Sequence, residues 1–290
     1  MKKKILITGS SGFIAKHFIR IFKNKYTFIL YDRKKNGDLS LKKKFPKADY
    51  VLHLAALCST KDFYLNPNQV IQDNISPTLN LINFYGKNYP KTKFIFTGTP
   101  ESISGSVEKL NYKIPTDEKA PIYIDDLNNK RWSYALSKAV CEQIVMFGKL
   151  KFVIIRPHNL YGPNQKNHFI PEFLERAEGK KSVELFGYKN KRCWLYIDDF
   201  CDALEKLMSC KKAAGEVVNI GSNFEKSTYD VAKIMLKLKY PNRNIRIIKR
   251  PAPKGSAMRR MPSINKVKSL INWKPKTNLK TGLSFIINAK

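Results

Sequence analysis

The sequence predicts an α/β protein: a doubly wound parallel sheet, with a smaller domain built from the C-terminal half. Three observations predict it. Short apolar runs alternate with helix-spaced segments through the first half of the chain. A glycine-rich turn joins the first apolar run to the first helix. After Pro157 the alternation loosens and Gly, Pro and Asn become frequent. The length agrees, because 290 residues exceed the usual span of one core. With 43% apolar and 27% charged residues the composition is that of a core-forming protein, which excludes disorder of the whole chain.

The elements follow in order. Lys4 to Thr8 reads as a buried strand ending at Gly9, and Phe13 to Phe22 carries apolar residues at helical spacing. Thr27 to Tyr31 is a second strand ending at Asp32, and Asp49 to Leu54 a third. Val70 to Tyr85 reads as a helix and Lys93 to Thr97 as the next strand. A long helix over Trp132 to Leu150 leads into the strand Phe152 to Arg156. Runs this short and this apolar fit strands buried on both faces. Two later pieces also look like sheet material: a turn and helix over Leu195 to Met208, and a strand over Val217 to Ile220. The expected division is therefore 1–157 plus 195–222 for the sheet domain, and 158–194 plus 223–290 for the smaller one.

Lys and Arg number 54 against 23 Asp and Glu, a net charge of +31. Such a field suits an anionic ligand. The basic residues are spread along the chain and most are Lys, without a zinc-finger or RNA-binding pattern. The distribution therefore favours a lysine-rich solvated surface over a specific nucleic-acid partner. No apolar run approaches the roughly 18 residues of a membrane span, so no membrane partner is expected. The apolar stretch after Met1-Lys2-Lys3-Lys4 is too short for a signal core, and a cytoplasmic location is expected. Five cysteines without a CxxC pair read as reduced thiols. The four histidines lack metal-ligand spacing, so no metal is expected.

Two patterns carry chemistry. The first is Gly9-Ser10-Ser11-Gly12-Phe13-Ile14-Ala15, between strand and helix. Glycines let the backbone approach a pyrophosphate, and the helix start presents free amides and a positive dipole end. Gly9 serves the turn, Gly12 the close approach and Ala15 the tight helix–strand packing. An ordinary turn would look similar, but Asp32 closes the second strand, where a carboxylate can hold the adenosine ribose hydroxyls and repel a 2′-phosphate. NAD is thus favoured, while Arg33, Lys34 and Lys35 leave NADP open. The fold expected is of the Rossmann type. The second pattern is Tyr134-Ala135-Leu136-Ser137-Lys138. Residues at i and i+4 share a helix face, and an ammonium near a phenol lowers its pKa toward the working pH. Such a tyrosine exchanges a proton with a sugar hydroxyl or ketone while hydride moves at nicotinamide. Alone the pair would read as a solvated helix face; its order after the glycine turn and the acid gives it weight.

With these motifs the chain resembles the extended short-chain dehydrogenase/reductase family, in particular its nucleotide-sugar epimerases and dehydratases. His53-Leu54-Ala55-Ala56 resembles the family's HLAA segment, and Asn74 its helix asparagine near the active site. Phe94 to Gly105 resembles the strand and loop that supply a catalytic Ser or Thr, here Thr99. Arg156 to Pro163 resembles RPxNxYGP, Arg192 to Asp199 resembles RxFxYVDD, and Lys266 to Gly282 resembles the LGWxPxxSLEEGL tail. The resemblance implies Thr99, Tyr134 and Lys138 as catalytic residues. It implies cofactor contacts from Gly9, Ser11, Gly12, Phe13, Ile14, Asp32, Arg33, Asp38, Leu39, Leu54, Ala55 and Ala56. Substrate contacts would come from Thr99, Glu101, Asn159, Arg192, Arg259 and Arg260, the arginines neutralising a nucleotide diphosphate. A homodimer through a four-helix bundle is also implied.

Three departures matter. Only four residues separate Asp32 from Gly37, where many members have a helix and a strand. Pro100 stands where sugar 4,6-dehydratases carry the Asp of an Asp-Glu pair, which leaves Glu101 alone. Ile103 replaces a frequent tyrosine. The leading expectation is an NAD-dependent nucleotide-sugar 4-epimerase. The alternatives are an NAD(P)H-dependent 4-keto sugar reductase, a dehydratase or decarboxylase variant using Glu101, and an inactive nucleotide-binding protein.

Overall fold

The computed structural model describes residues 1–124, 126–253 and 256–288. Its strands and helices run β1 (Lys4–Thr8), α1 (Phe13–Phe22), β2 (Thr27–Tyr31), α2 (Arg33–Asn36), β3 (Tyr50–His53), α3 (Thr60–Leu65), α4 (Pro67–Asn88) and β4 (Lys93–Thr97). They continue through α5 (Ser104–Lys109), α6 (Trp132–Met146), β5 (Lys151–Pro157), β6 (Leu160–Tyr161), α7 (Phe169–Ala177), β7 (Ser182–Phe186), β8 (Lys191–Cys193) and β9 (Leu195–Tyr196). The rest are α8 (Ile197–Ser209), β10 (Glu216–Ile220), β11 (Glu225–Ser227), α9 (Thr228–Lys239), β12 (Arg246–Arg250), β13 (Arg259–Arg260), α10 (Asn265–Ile271) and α11 (Leu279–Ile287).

Six strands form one sheet in the order β10-β5-β4-β3-β1-β2, and every pairing in it is parallel. Ile5, Leu6 and Ile7 of β1 and Phe94, Ile95 and Phe96 of β4 are fully buried, because helices cover both faces. Strand order reverses beside β1: the chain steps to β2 on one side and returns to β3 on the other. The C-terminal ends of β1 and β3 therefore flank a crevice, the place where open α/β sheets bind ligands. The late strand β10 joins this sheet against β5, with Val218 opposite Ile155.

Between Asp32 and β3 the structure has only the four-residue α2 and irregular chain. The long helix expected to reach Leu150 stops at Met146. Gly148 lies just past the stop, where a Cβ would lie 2.7 Å from Ile82 Cγ2 on α4. Where a turn is expected at Leu195 the structure has the short strand β9, and the helix that follows starts at Ile197. Outside the main sheet, β11, β8 and β13 form a three-stranded sheet and β12 pairs with β7. The Arg192–Asp199 segment ties the parts together. Arg20 of α1 donates to Asp198 at 2.7 and 2.9 Å. Asp199 accepts the amides of Lys276 and Thr277 at 3.0 and 2.7 Å.

Among the described residues no helix is long and apolar enough to cross a membrane. The five cysteines are free thiols, and of these Cys58 is exposed.

Candidate active site

The crevice begins at the first turn. Gly9 has φ +66°, and a Cβ on it would lie 2.9 Å from the Ala55 backbone. Only glycine meets both demands. The Gly12 amide donates to the Gly9 carbonyl at 2.9 Å and opens α1 with no side-chain cap, which leaves the helix start for an anion. Asp32 accepts the Ser11 amide at 3.0 Å. Burial pushes its carboxyl up, but hydrogen bonds from Ser11 and Lys34 outweigh that and hold it below its ordinary value. Gly9, Asp32, Arg33, Asp38, Leu39, Ala55 and Ala56 line a cavity of about 220 Å³, with Leu57, Asp73 and Pro77. This cradle fits the adenosine half of a dinucleotide.

The other expected cofactor residues sit differently. Phe13 packs edge-on to His17, with ring centroids 5.1 Å apart, and Ile14 and Leu54 pack against the main core. None of those three lines the cavity. Arg33 bridges Asp38 at 2.6 Å and Asp73 at 2.5 Å. Its guanidinium is thus occupied by carboxylates, which weakens the case for a 2′-phosphate partner.

Buried hydrogen bonds hold the loop after β3, and sequence reasoning missed them. The Ala55 amide donates to Thr8 Oγ1 at 3.1 Å, and Thr8 Oγ1 lies 2.6 Å from His53 Nδ1. His53 Nε2 lies 3.0 Å from Thr78 Oγ1, which donates to the Asn74 carbonyl. The directions agree only if neutral His53 carries its proton on Nε2. Burial, then the field of Lys138, lowers its pKa to about 3. Asn74 continues the chain, accepting the Leu57 amide at 2.8 Å and donating to Ser137 Oγ at 3.0 Å. The helix that carries Tyr134 and Lys138 is therefore bonded to the crevice loop.

A buried ion pair fixes that helix from the other side. Arg156, at the end of β5, donates to Glu142 at 2.9 and 2.5 Å, and both residues are at most 5% exposed. Gly98 makes room for it, since a Cβ there would collide with Glu142 Oε1. Arg156 of the RPxNxYGP segment is thus a brace between β5 and α6.

Tyr134 lies under Phe63, the rings stacked 4.8 Å apart at 12°. Thr99, buried two residues past β4, hydrogen-bonds the phenol and also accepts the Glu101 amide at 3.2 Å. Lys138 Nζ sits 4.4 Å above the Phe96 ring. Burial lowers the pKa of this ammonium, against the fields of Cys141, Cys58 and Glu142. One sequence expectation needs correction: the phenol is not shifted toward the working pH. Burial raises it above its ordinary value and the field of Cys58 adds to that; the Thr99 bond opposes, and Glu101 adds further. The i, i+4 spacing alone does not outweigh desolvation.

Glu101 is gripped by arginines. Arg260 donates to both its oxygens, at 2.6 and 2.7 Å, and Arg131 lies 3.4 Å away. Burial opposes ionisation, but Arg260, Arg131 and Arg192 prevail and take its pKa to about 2. Arg192 donates to the carbonyls of Lys191, Met258 and Ala257. Burial, then repulsion from Arg260, lowers it to about 9. β13 pairs with β8 so that Arg260 stands opposite Arg192. Strand alternation sends Arg259 elsewhere: it donates to Glu225 at 2.8 and 2.9 Å. Arg259 is thus separated from the cluster that holds Arg192 and Arg260. Asn159, with φ +39°, places its amide 4.0 Å from the sulfur of Cys193, next to Arg192. Sequence reasoning also missed Arg131, which precedes α6 and carries no motif.

Comparison with known proteins gives this site a family. Over residues 5–221 the chain matches the profile of the NAD dependent epimerase/dehydratase family. It is 28% identical to the bifunctional polymyxin resistance protein ArnA of Wigglesworthia glossinidia brevipalpis, across 99% of this chain and 51% of that protein. It is 27% identical to the UDP-N-acetyl-alpha-D-glucosaminuronate decarboxylase of Bacillus cytotoxicus, across 98% and 96% of the two chains. The UDP-glucose 4-epimerase of Thermotoga maritima, solved with UDP-glucose, superposes with a TM-score of 0.81. That pair is 25% identical, and the match covers 98% of this chain and 97% of the other. With the glycine turn, the Asp32 crevice and the order of segments in agreement with a profile spanning most of its length, the chain belongs to the NAD-dependent epimerase/dehydratase family.

Proposed function

We propose that the protein is an NAD-dependent nucleotide-sugar epimerase working through a transient 4-keto intermediate. The observation that carries this reading is the grip on Glu101. A carboxylate with a pKa near 2, bidentate to Arg260, is a weak base. A 4,6-dehydratase or decarboxylase variant would ask that residue for proton transfer; an epimerase needs no such base.

When bound, the nicotinamide supplies the hydride acceptor and donor. Tyr134 Oη takes the proton of the sugar 4-hydroxyl and later returns it, and Thr99 Oγ1 hydrogen-bonds the same oxygen. The phenol starts above its ordinary pKa, raised first by burial, and Lys138, one turn along α6, is the ammonium that would ease its ionisation. Asp32 holds the adenosine ribose, and Arg192 faces the substrate diphosphate while Arg260 stays on Glu101. Asn159, beside Arg192, contacts the same moiety. The occupied guanidinium of Arg33 supports NAD over NADP.

A second reading draws on one observation: the Glu101 carboxylate acts on the phenol of Tyr134. A substrate anion that competed for Arg260 would free Glu101 for the dehydratase or decarboxylase step. One experiment separates the readings: incubation with UDP-, GDP-, CDP- and dTDP-sugars, followed by mass spectrometry and NMR. An epimer of unchanged mass supports the proposal. Loss of water or carbon dioxide selects the second reading, and consumption of added NADPH selects a 4-keto sugar reductase. Failure of every sugar to change the nicotinamide absorbance selects an inactive binding protein. The proposal also includes a homodimer through α4 and α6, which expose Leu79 midway along α4 and Met146 at the end of α6; light scattering on the purified protein tests it.

A further inference from the structure

We infer that the protein has a second anion site, for a compact polyphosphate, at the end of the sheet opposite the catalytic crevice. A cavity of about 470 Å³ opens there, and Lys3, Lys91, Lys93, Lys151 and Lys211 contribute to its wall. Among the described residues that line it, Asp49 is the one acid. Its carboxylate accepts the Lys4 amide at 2.7 Å.

Topology gathers these charges. Tyr50, Lys93 and Lys151 open β3, β4 and β5, and parallel register sets Lys93 beside both Tyr50 and Lys151. Lys3 immediately precedes β1. Gly9, Ala55 and Thr99 follow the opposite ends of the same sheet. Strands of about five residues separate the two edges by roughly 15 Å. The lysine cavity is therefore distinct from the site of the family's reaction.

Two of the ammonium groups are held in place. Lys93 Nζ donates to the carbonyls of Leu207, Met208 and Cys210, at 3.2, 3.1 and 2.8 Å, around the C-terminal end of α8. Lys3 Nζ donates to Tyr50 Oη at 3.1 Å. Lys91, Lys151 and Lys211 are exposed, with no carboxylate partner among the described residues. Burial lowers the pKa of Lys93 to about 8; the field of Cys210 opposes this, and those of Lys151 and Lys3 add to it. Like charges that repel across a concave wall are relieved by an anion of matching charge density. Lysine ammonium groups are compact point charges that meet phosphate oxygens from any direction. The wall has no arginine fork, and its aromatic ring, that of Tyr50, is buried, so no base-stacking platform is built. These features favour free polyphosphate over nucleic acid.

The test is isothermal titration calorimetry of the 290-residue chain with inorganic tripolyphosphate. The Lys91→Ala/Lys151→Ala/Lys211→Ala variant is compared with Lys237→Ala/Lys274→Ala/Lys280→Ala, which removes the same charge elsewhere on the surface. Thermal unfolding confirms that both variants fold. The expected result is binding weakened about tenfold or more in the first variant and changed less than about twofold in the second, with the affinity falling as salt is raised. Equal weakening in both variants would mean diffuse charge and overturn the proposal. Unchanged binding in the first variant overturns it too, because tripolyphosphate would then sit elsewhere. Binding of a single-stranded RNA oligonucleotide without any response to tripolyphosphate replaces it with a nucleic-acid surface.

Discussion

Substitution of Glu142 by Ala tests how the catalytic helix is held. The Glu142 carboxylate accepts two bonds from Arg156, at 2.9 and 2.5 Å, where the residues are 3% and 5% exposed. Arg156 Nη1 is already without a partner, so the guanidinium depends on this carboxylate. Removing one member of such a pair leaves an uncompensated buried charge and costs about 3–5 kcal/mol. For 290 residues, an unfolding entropy of about 2.1 cal/mol/K per residue comes to about 0.6 kcal/mol/K, so the midpoint should fall by about 5–8 °C. The assay is urea unfolding beside calorimetry, on the single variant and on Glu142→Leu/Arg156→Met. The double variant should recover most of the loss, because both charges leave together. Turnover should fall in the single variant as well, since Lys138 lies one turn before Glu142 on α6. A single variant within about 0.5 kcal/mol of the parent, or additive losses in the double, would refute the brace.

Three further outcomes are expected. Tyr134→Phe should abolish turnover on nucleotide sugars while NAD still binds, as read by calorimetry; normal turnover would remove the phenol from the reaction. Gly9→Ala puts a Cβ 2.9 Å from the Ala55 backbone at φ +66°, so NAD affinity should drop about tenfold or more and stability by about 1–2 kcal/mol. An unchanged affinity would place the dinucleotide elsewhere. Stability should decline in acid. His53 and His158 are buried and neutral, with pKa lowered to about 3 from 6.5. Below pH 6.5 the unfolded chain takes up two protons that the native state does not, so stability present above that pH is lost as pH falls toward 3. The slope is about 2.7 kcal/mol per pH unit from the pair. Urea midpoints that stay level from pH 7 to pH 4 would contradict the neutral state of both rings.

What was legible from sequence alone is what depends on neighbours in the chain. Gly9 declares its turn because only glycine tolerates that backbone so close to Ala55, and a Cβ on Gly12 would lie 3.0 Å from the Gly9 carbonyl oxygen. Asp32 ends its strand within hydrogen-bond reach of Ser11, as the motif spacing requires. The strands Lys4–Thr8 and Lys93–Thr97 coincide with their apolar runs, since burial on both faces needs no partner-specific information. Tertiary structure alone decided the pairings that join distant segments. Glu101 and Arg260 are 159 positions apart, and the β13–β8 register, not any local signal, turned Arg260 toward that carboxylate and Arg259 away from it. Helix spacing set Tyr134 and Lys138 on one face, but burial among segments distant in sequence raises the pKa of the phenol, because desolvation is a property of everything packed around a group.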